Sequence, residues 1–409
     1  MMRLPRRTVP GVAALLLTAA ACAGPAGARL SPAPENGPAS GAPTGAASGQ
    51  AGGQATAAGA QRRPFTLVAS GDVLPHAVII RQAQADADGE GYDFHPMLAG
   101  VRPVISAADL ALCHMETVYG PDGGPFTGYP SFKSPPQVAQ ALRDTGYDSC
   151  STASNHTLDD GAEGIRRTLD AMDAAGLRHA GSARTAEEAA RPALLTAGGA
   201  TLAHLAYSYD TNGIPLPEGR PWAVNLIDRD RILADARAAR RSGADLVVVS
   251  IHWGTEWQDE PDEQQLTLAR GLTAARTDGG PDIDLILGTH AHIPQAYEKV
   301  NGTWVVYGMG DQVAGDMVNY SDAFDPRGNM GTIARFTFAP PAAGGGRWTV
   351  SRAEFVPQLM DLGPPHRVLV LPEAVRQHPD RSDFAAALDH IRSVVLSRSA
   401  ADAGLTMAP

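Results

Sequence analysis

The chain is 409 residues long, 44% hydrophobic and 19% charged, with 44 glycines, 32 prolines and a formal net charge of −11. That length can bury a large core, but the glycine and proline content puts part of the chain outside it. The acidic balance argues against a nucleic-acid partner held through phosphate contacts.

Residues 1–22 read as an export signal. Arg3, Arg6 and Arg7 make a basic start, and residues 12–21 are an apolar run too short to span a bilayer. The run ends Leu-Thr-Ala-Ala-Ala-Cys22, which resembles the lipobox of bacterial lipoproteins with Cys22 as the lipidated residue. The expected location is extracytoplasmic, held to the membrane by that lipid, with simple secretion as the alternative. Residues 23–63 are Ala, Gly, Pro, Ser, Gln and Thr with almost no large apolar side chain, so they cannot offset their ordering entropy. They read as a disordered tether.

From Pro64 strands alternate with amphipathic helices, which predicts an α/β domain over residues 64–375, then a C-terminal helix and tail over 376–409. The strand at 65–70 carries Gly71-Asp72 to its C-terminal end, with His76 on the turn beyond. Residues 97–105 have a helical pattern. The strand at 108–113 ends in His114-Met-Glu116, and 135–145 form a helix stopped by Gly146. The strand at 147–152 leads into Ala153-Ser-Asn-His156, and Asp159 or Asp160 caps a helix whose Ile165, Leu169 and Met172 share a face.

Residues 194–209 read as a hairpin about Gly198-Gly199, and Asp228 caps a helix through Arg241. The buried strand at 246–251 presents His252-Trp-Gly-Thr-Glu256 at its end. A helix at 262–276 precedes the apolar run ending at Gly288, after which come His290 and His292. In extended backbone these two side chains point the same way. A strand at 303–307 runs into the loop Gly308-Met-Gly-Asp311. Strands near 333–338 and 348–355 and a helix at 382–399 follow. Cys113 and Cys150 lie near strand ends, where they either pair or stand as two buried thiols.

Asp72, His76, Glu116, Asn155, His156, His252, His290 and His292 thus fall at or just past strand C-termini, where sheets with helical crossovers bind ligands. Each alone has an ordinary alternative: a turn aspartate, a helix cap, a buried histidine. Together they form a mixed carboxylate, amide and imidazole donor set, which suits Zn, Mn or Fe better than Ca. The count exceeds the need of one ion and suits two divalent ions sharing a carboxylate. Trp253, Glu256 and Lys133 are candidates for contact with substrate, and His114 for a ligand or its support. Asp278, Asp282 and Asp284 precede the strand end and read as solvated.

Gly71-Asp72, Ser154-Asn-His-Thr-Leu-Asp-Asp-Gly161, His252-Trp-Gly-Thr-Glu256 and Gly288-Thr-His-Ala-His-Ile-Pro-Gln295 resemble, in order, the signature blocks of the CapA family. These are poly-γ-glutamate capsule proteins, a branch of the calcineurin-like metallophosphoesterases. The resemblance covers roughly residues 64–315. It implies a four-layer α-β-β-α sandwich of metallophosphatase type, with Asp72, Glu116, Asn155, His252, His290 and His292 as ligands of two metal ions. It also implies His156 as the general acid.

Three departures stand out. His114 replaces the asparagine usual two residues before the glutamate, and Gly310-Asp311-Gln312 replaces Gly-Asn-Phe. The first block lacks the second ligand of an Asp-x-His pattern, for which His76 is the nearest substitute. The implied activity is metal-dependent hydrolysis of a phosphoester, or of an amide in an acidic envelope polymer. The alternatives are a non-catalytic polymer-binding or export component of a capsule synthesis assembly, and a solute-binding lipoprotein.

Overall fold

The computed structural model describes residues 62–342 and 345–409. The export signal, Cys22 and nearly all of the tether lie outside the described residues. The tether's last two residues are docked, Arg62 on Asp245 at 3.0 Å and Arg63 on Asp109 at 2.6 Å.

In chain order, β1 (Phe65–Val73), β2 (Leu110–Met115), β3 (Ser149–Ser151) and β4 (Arg178–Ala180) lie in a first sheet. A second sheet takes β5 (Ala193–Ala197), β6 (Ala200–Ser208) and β7 (Leu246–His252). The two-residue strands β8 (Arg276–Thr277) and β9 (Gly280–Pro281) pair only with each other. The second sheet is completed by β10 (Leu285–Thr289), β11 (Tyr297–Val300) and β12 (Thr303–Val306). The chain then returns to the first with β13 (Asp311–Val313), β14 (Met330–Ala339), β15 (Thr349–Asp361), β16 (Arg367–Val370) and β17 (Leu405–Met407).

The first sheet runs β16-β15-β14-β1-β2-β3-β4, with β13 beside β1 and β17 beside β15. The second runs β11-β12-β10-β7-β6-β5. The strands from β1 to β4, and those from β12 to β6, are parallel, so their C-terminal ends lie on one side of each sheet.

The apolar pattern dictates how the sheets stack. Along β1, Leu67 and Ala69 face a core shared with Leu246 and Val248 of β7 and Leu285 and Leu287 of β10. The alternate residue Val68 faces away, onto Val138 and Leu142 of the helix Gln137–Thr145. Val247, Val249 and Ile286 likewise face out, onto Ile232 and Ala236 of Arg229–Arg241 and Leu268 of Glu263–Thr273. Because side chains alternate across a strand, both faces of each sheet must be covered. The expected helix–sheet–sheet–helix layering follows.

Several boundaries differ from expectation. The helix at 97–105 is two short helices, His95–Leu98 and Arg102–Ser106, because Pro103 has no N–H to donate and can stand only in a first turn. Ala77–Asp86 is a helix that the sequence pattern did not announce. The segment 376–409 is not an appendage. Its helix Ser382–Val395 buries Phe384, Ala387, Ile391 and Val395 in the core between the sheets, and β17 pairs with β15. Cys113 and Cys150, register partners on β2 and β3, form a disulfide.

Candidate metal centre

The sheet topology brings the C-terminal ends of β1, β2, β3, β7 and β10 to one cleft. Asp72 is fixed by a close approach of two backbones. Its N–H donates to the Gly310 carbonyl at 3.0 Å, and a Cβ on Gly71 would stand 1.7 Å from that same oxygen. Only glycine fits there. Asp72 Oδ2 in turn accepts the His290 N–H at 3.1 Å, tying the first sheet to the second. His290 and His292 are not extended, as their spacing suggested. Both adopt left-handed backbone, with φ of 93° and 60°, because the chain turns back sharply after Thr289. Such residues carry about 1–3 kcal/mol of local strain each, which the surrounding contacts must hold.

The side chains converge. His252 Nε2 lies 2.8 Å from Asn155 Oδ1 and 3.7 Å from Glu116 Oε1, while its Nδ1 lies 3.1 Å from Thr289 Oγ1. The His290 ring is 4.7 Å from that of His252 and 6.0 Å from that of His292. His114 stacks on His252 at 4.8 Å, its Nδ1 on Ser151 Oγ at 2.7 Å and its Nε2 3.7 Å from Asp72 Oδ1. His292 Nδ1 stands 3.1 Å from Oδ1 of Asp311, a residue the sequence reading left in a loop. All ten of these residues are buried.

Six donor atoms in this cluster are buried without a protein partner: Asp72 Oδ1, both Glu116 carboxylate oxygens, His114 Nε2, His290 Nδ1 and Asp311 Oδ2. Leaving even one buried carboxylate oxygen unpaired costs several kcal/mol, so a convergent group of them fits a cation. Donor atoms of Asp72, Glu116 and His292 come within 4.8 Å of one another, as do those of Asp72, His114 and His252, and of Glu256, His290 and His292. Burial, then the Asp311 charge, raises the Asp72 carboxyl well above its ordinary range; burial, then Asp72, does the same for Glu116. Burial, then neighbouring imidazoles, holds His252 and His290 well below theirs, as neutral donors. Burial also opposes charge on His292, but Asp311 and Glu116 outweigh it and lift its pKa well above the usual value.

Residues 66–316, more than half of the chain, match the model of the bacterial capsule synthesis protein family PGA_cap. The chain belongs to that family. The PGA biosynthesis protein CapA of Bacillus subtilis is 29% identical over 43% of this chain and 45% of that protein. A probable polyglutamine synthesis accessory protein of Mycobacterium tuberculosis is 29% identical over 51% of this chain and 56% of its own length. The chain thus spans about half the length of the curated relatives it matches. A solved structure of a putative 5'-nucleotidase from Staphylococcus aureus aligns with TM-score 0.44 and 14% identity, over 73% of this chain and 55% of that one.

The remaining candidates of this PGA_cap chain divide. His156 faces the cleft rim from the turn before Gly161–Ala175, its Nδ1 2.7 Å from Asp159 Oδ2, which also accepts the Phe132 N–H at 2.6 Å. Asp160 is the residue at the helix N-cap, yet its carboxylate pairs with Arg167 and Lys133 rather than the helix N–H groups. His76 is in none of the groups of converging donor atoms; its Nδ1 sits against Leu74 O and Gly315 N at 2.9 and 3.1 Å. Trp253 is not at the cleft surface either. It is fully buried, donating its indole N–H to Tyr307 O at 2.9 Å, since the first residue past β7 still points into the outer core. Trp257, 6.2 Å from His292, is the tryptophan beside the site. Glu256 is at the rim, and Asp282 and Asp284 are held by Arg237 and Arg240 away from it.

Sequence reading missed Asp311 and Tyr209, whose ring lies 4.4 Å from His290. For Asp311 a signal existed: Gly310-Asp311 follows an apolar strand as Gly71-Asp72 ends one.

Proposed function

We propose that this protein is a dinuclear metal-dependent hydrolase of envelope polymer metabolism, held extracytoplasmically by a lipid on Cys22. The observation that carries the reading is the group of buried, unpartnered oxygens and nitrogens at the ends of β1, β2 and β10. Asp72, Glu116, Asn155, His252, His290 and His292 would hold two divalent transition ions of the Mn, Fe or Zn class, with Glu116 shared. When bound, such ions supply Lewis acidity at phosphorus or at an acyl carbon and acidify water. The chain's own residues do the rest. Thr289 and Ser151 fix the rings of His252 and His114. Asp159 holds the His156 imidazole by Nδ1, leaving Nε2 to give a proton to the departing oxygen or nitrogen.

Charge bears on the substrate. Lys133 pairs with Asp160, Arg143 with Asp148 and Arg166 with Glu163, so these cations are spoken for. A polyanion would be drawn by the ions themselves, and a single phosphoester or amide reaching the cleft is the better fit. The names of the relatives favour a second reading, a polymer-binding accessory of a synthesis assembly. Metal analysis of the full chain decides, paired with assays on bis-aryl phosphates and γ-glutamyl polymers. His290→Ala should lose metal and turnover with the fold retained; a wild-type chain without stoichiometric transition metal sinks the hydrolase. Cys22→Ala should move the protein from the membrane fraction to the medium, and continued membrane association would refute the anchor.

A further inference from the structure

The donors assigned above are shared unequally. Asn155 and His290 gather about His252, with His114 stacked against it. Asp72, Glu116 and His292 form a convergent group of three, one donor short of a four-coordinate site. We infer that Asp311 supplies that missing ligand, so that the centre pairs an oxygen-rich position (Asp72, Glu116, Asp311, His292) with a nitrogen-rich one. The inference rests on the dinuclear reading and sharpens it, because the two positions then select different ions.

The fold delivers Asp311 to this place. β13 pairs in parallel with β1 so that Asp311 stands opposite Asp72, and the Gly71–Gly310 approach brings the two backbones together just before them. Asp311 is fully buried and its Oδ2 has no protein partner. Asp72 Oδ1, equally buried and equally unpartnered, belongs to the residue directly opposite it in the β1–β13 register. Two buried carboxyls can face each other only by sharing a proton or a cation, and the orphan oxygens of Glu116 favour the cation. The 3.1 Å separation of His292 Nδ1 and Asp311 Oδ1 suits adjacent ligands of one ion as well as it suits a hydrogen bond. Three carboxylates and one imidazole make a hard donor set, suited to Mn or oxidised Fe, whereas an amide and two or three imidazoles suit Zn.

The test uses the full chain, loaded with Mn and Zn together. In crystals, anomalous scattering at the Mn edge should put a peak about 2.0–2.2 Å from an Asp311 oxygen, the usual carboxylate–metal distance. Zn should occupy the side of Asn155 and His252. In solution, Asp311→Ala, which leaves no donor at 311, should hold one ion instead of two, the lost position weakened by more than 100-fold. If Asp311 only orients His292, that variant keeps both ions with a loss no greater than the 10–100-fold of an outer-shell residue. That result overturns the inference, as does a Mn peak bonded to His114 and not to Asp311. In either case a wild-type chain holding two ions leaves the hydrolase reading standing, whereas a wild-type chain holding none removes both.

Discussion

Gly71→Ala should damage stability and the metal centre together. The added Cβ would sit 1.7 Å from the Gly310 carbonyl oxygen, 2.9 Å from its carbon and 3.2 Å from the Met309 carbonyl carbon. Ordinary contact begins at 3.4 Å, so the nearest pair is short by 3.4 − 1.7 = 1.7 Å. Every atom in the clash is backbone, and none can rotate away. Relief therefore requires β1 and the 309–311 segment to separate by more than an ångström, at a cost at or beyond the upper end of the ~1–3 kcal/mol typical of overpacking. The same displacement moves Asp72 away from Asp311 and His290, and about 1 Å of misplacement is worth roughly 100-fold in rate. Guanidinium unfolding and metal titration of the variant would measure both effects. Gly363→Ala is the control, because its Cβ meets nothing nearer than 3.4 Å and should cost under about 0.5 kcal/mol. A Gly71→Ala protein with the wild-type midpoint and two tightly held ions would refute the argument.

Two further outcomes follow from the geometry. His156→Ala should slow hydrolysis of esters with poor leaving groups by about 10²–10⁴ while leaving p-nitrophenyl esters little changed, since only a basic leaving group needs the proton. Asp159→Asn should show the same selectivity more weakly; a loss equal for both ester types would mean that His156 does not act as an acid. Chelation should matter more at higher pH. A carboxyl whose folded pKa is raised, as burial raises Asp72 and Glu116, adds stability below its unfolded pKa of about 4 and loses it as pH climbs through the folded value. The Tm gap between ion-loaded and EDTA-treated protein should therefore widen as pH rises above the unfolded carboxyl pKa of about 4. A gap that narrows would contradict the protonated carboxyls.

The parallel strands were legible because burial on both faces leaves continuous apolar runs such as Leu246–His252, and each run ends abruptly in the polar residues it presents. The helices with caps were equally plain: Asp228 and Asp262 accept N–H groups of Arg231 and Gln265 as their positions suggest. What stayed hidden was short or unpatterned. β13 and β17 are three residues each, too short for any period to register. Trp253 read as a cleft residue because nothing local says on which side of β7's end it falls.

The sequence by itself determined the alternation of strands and helices, the strand ends that carry Asp72, Glu116, Asn155, His252, His290 and His292, and the family those blocks resemble, because hydrophobic period and motif spacing are local properties of the chain. Only the tertiary structure decided that Asp311 faces Asp72, that His76 turns to the backbone and that His290 and His292 bend into left-handed conformations. Those facts depend on which strands pair and how closely two backbones pass. The approach of Gly71 to Gly310, 239 residues apart in sequence, leaves no periodic mark.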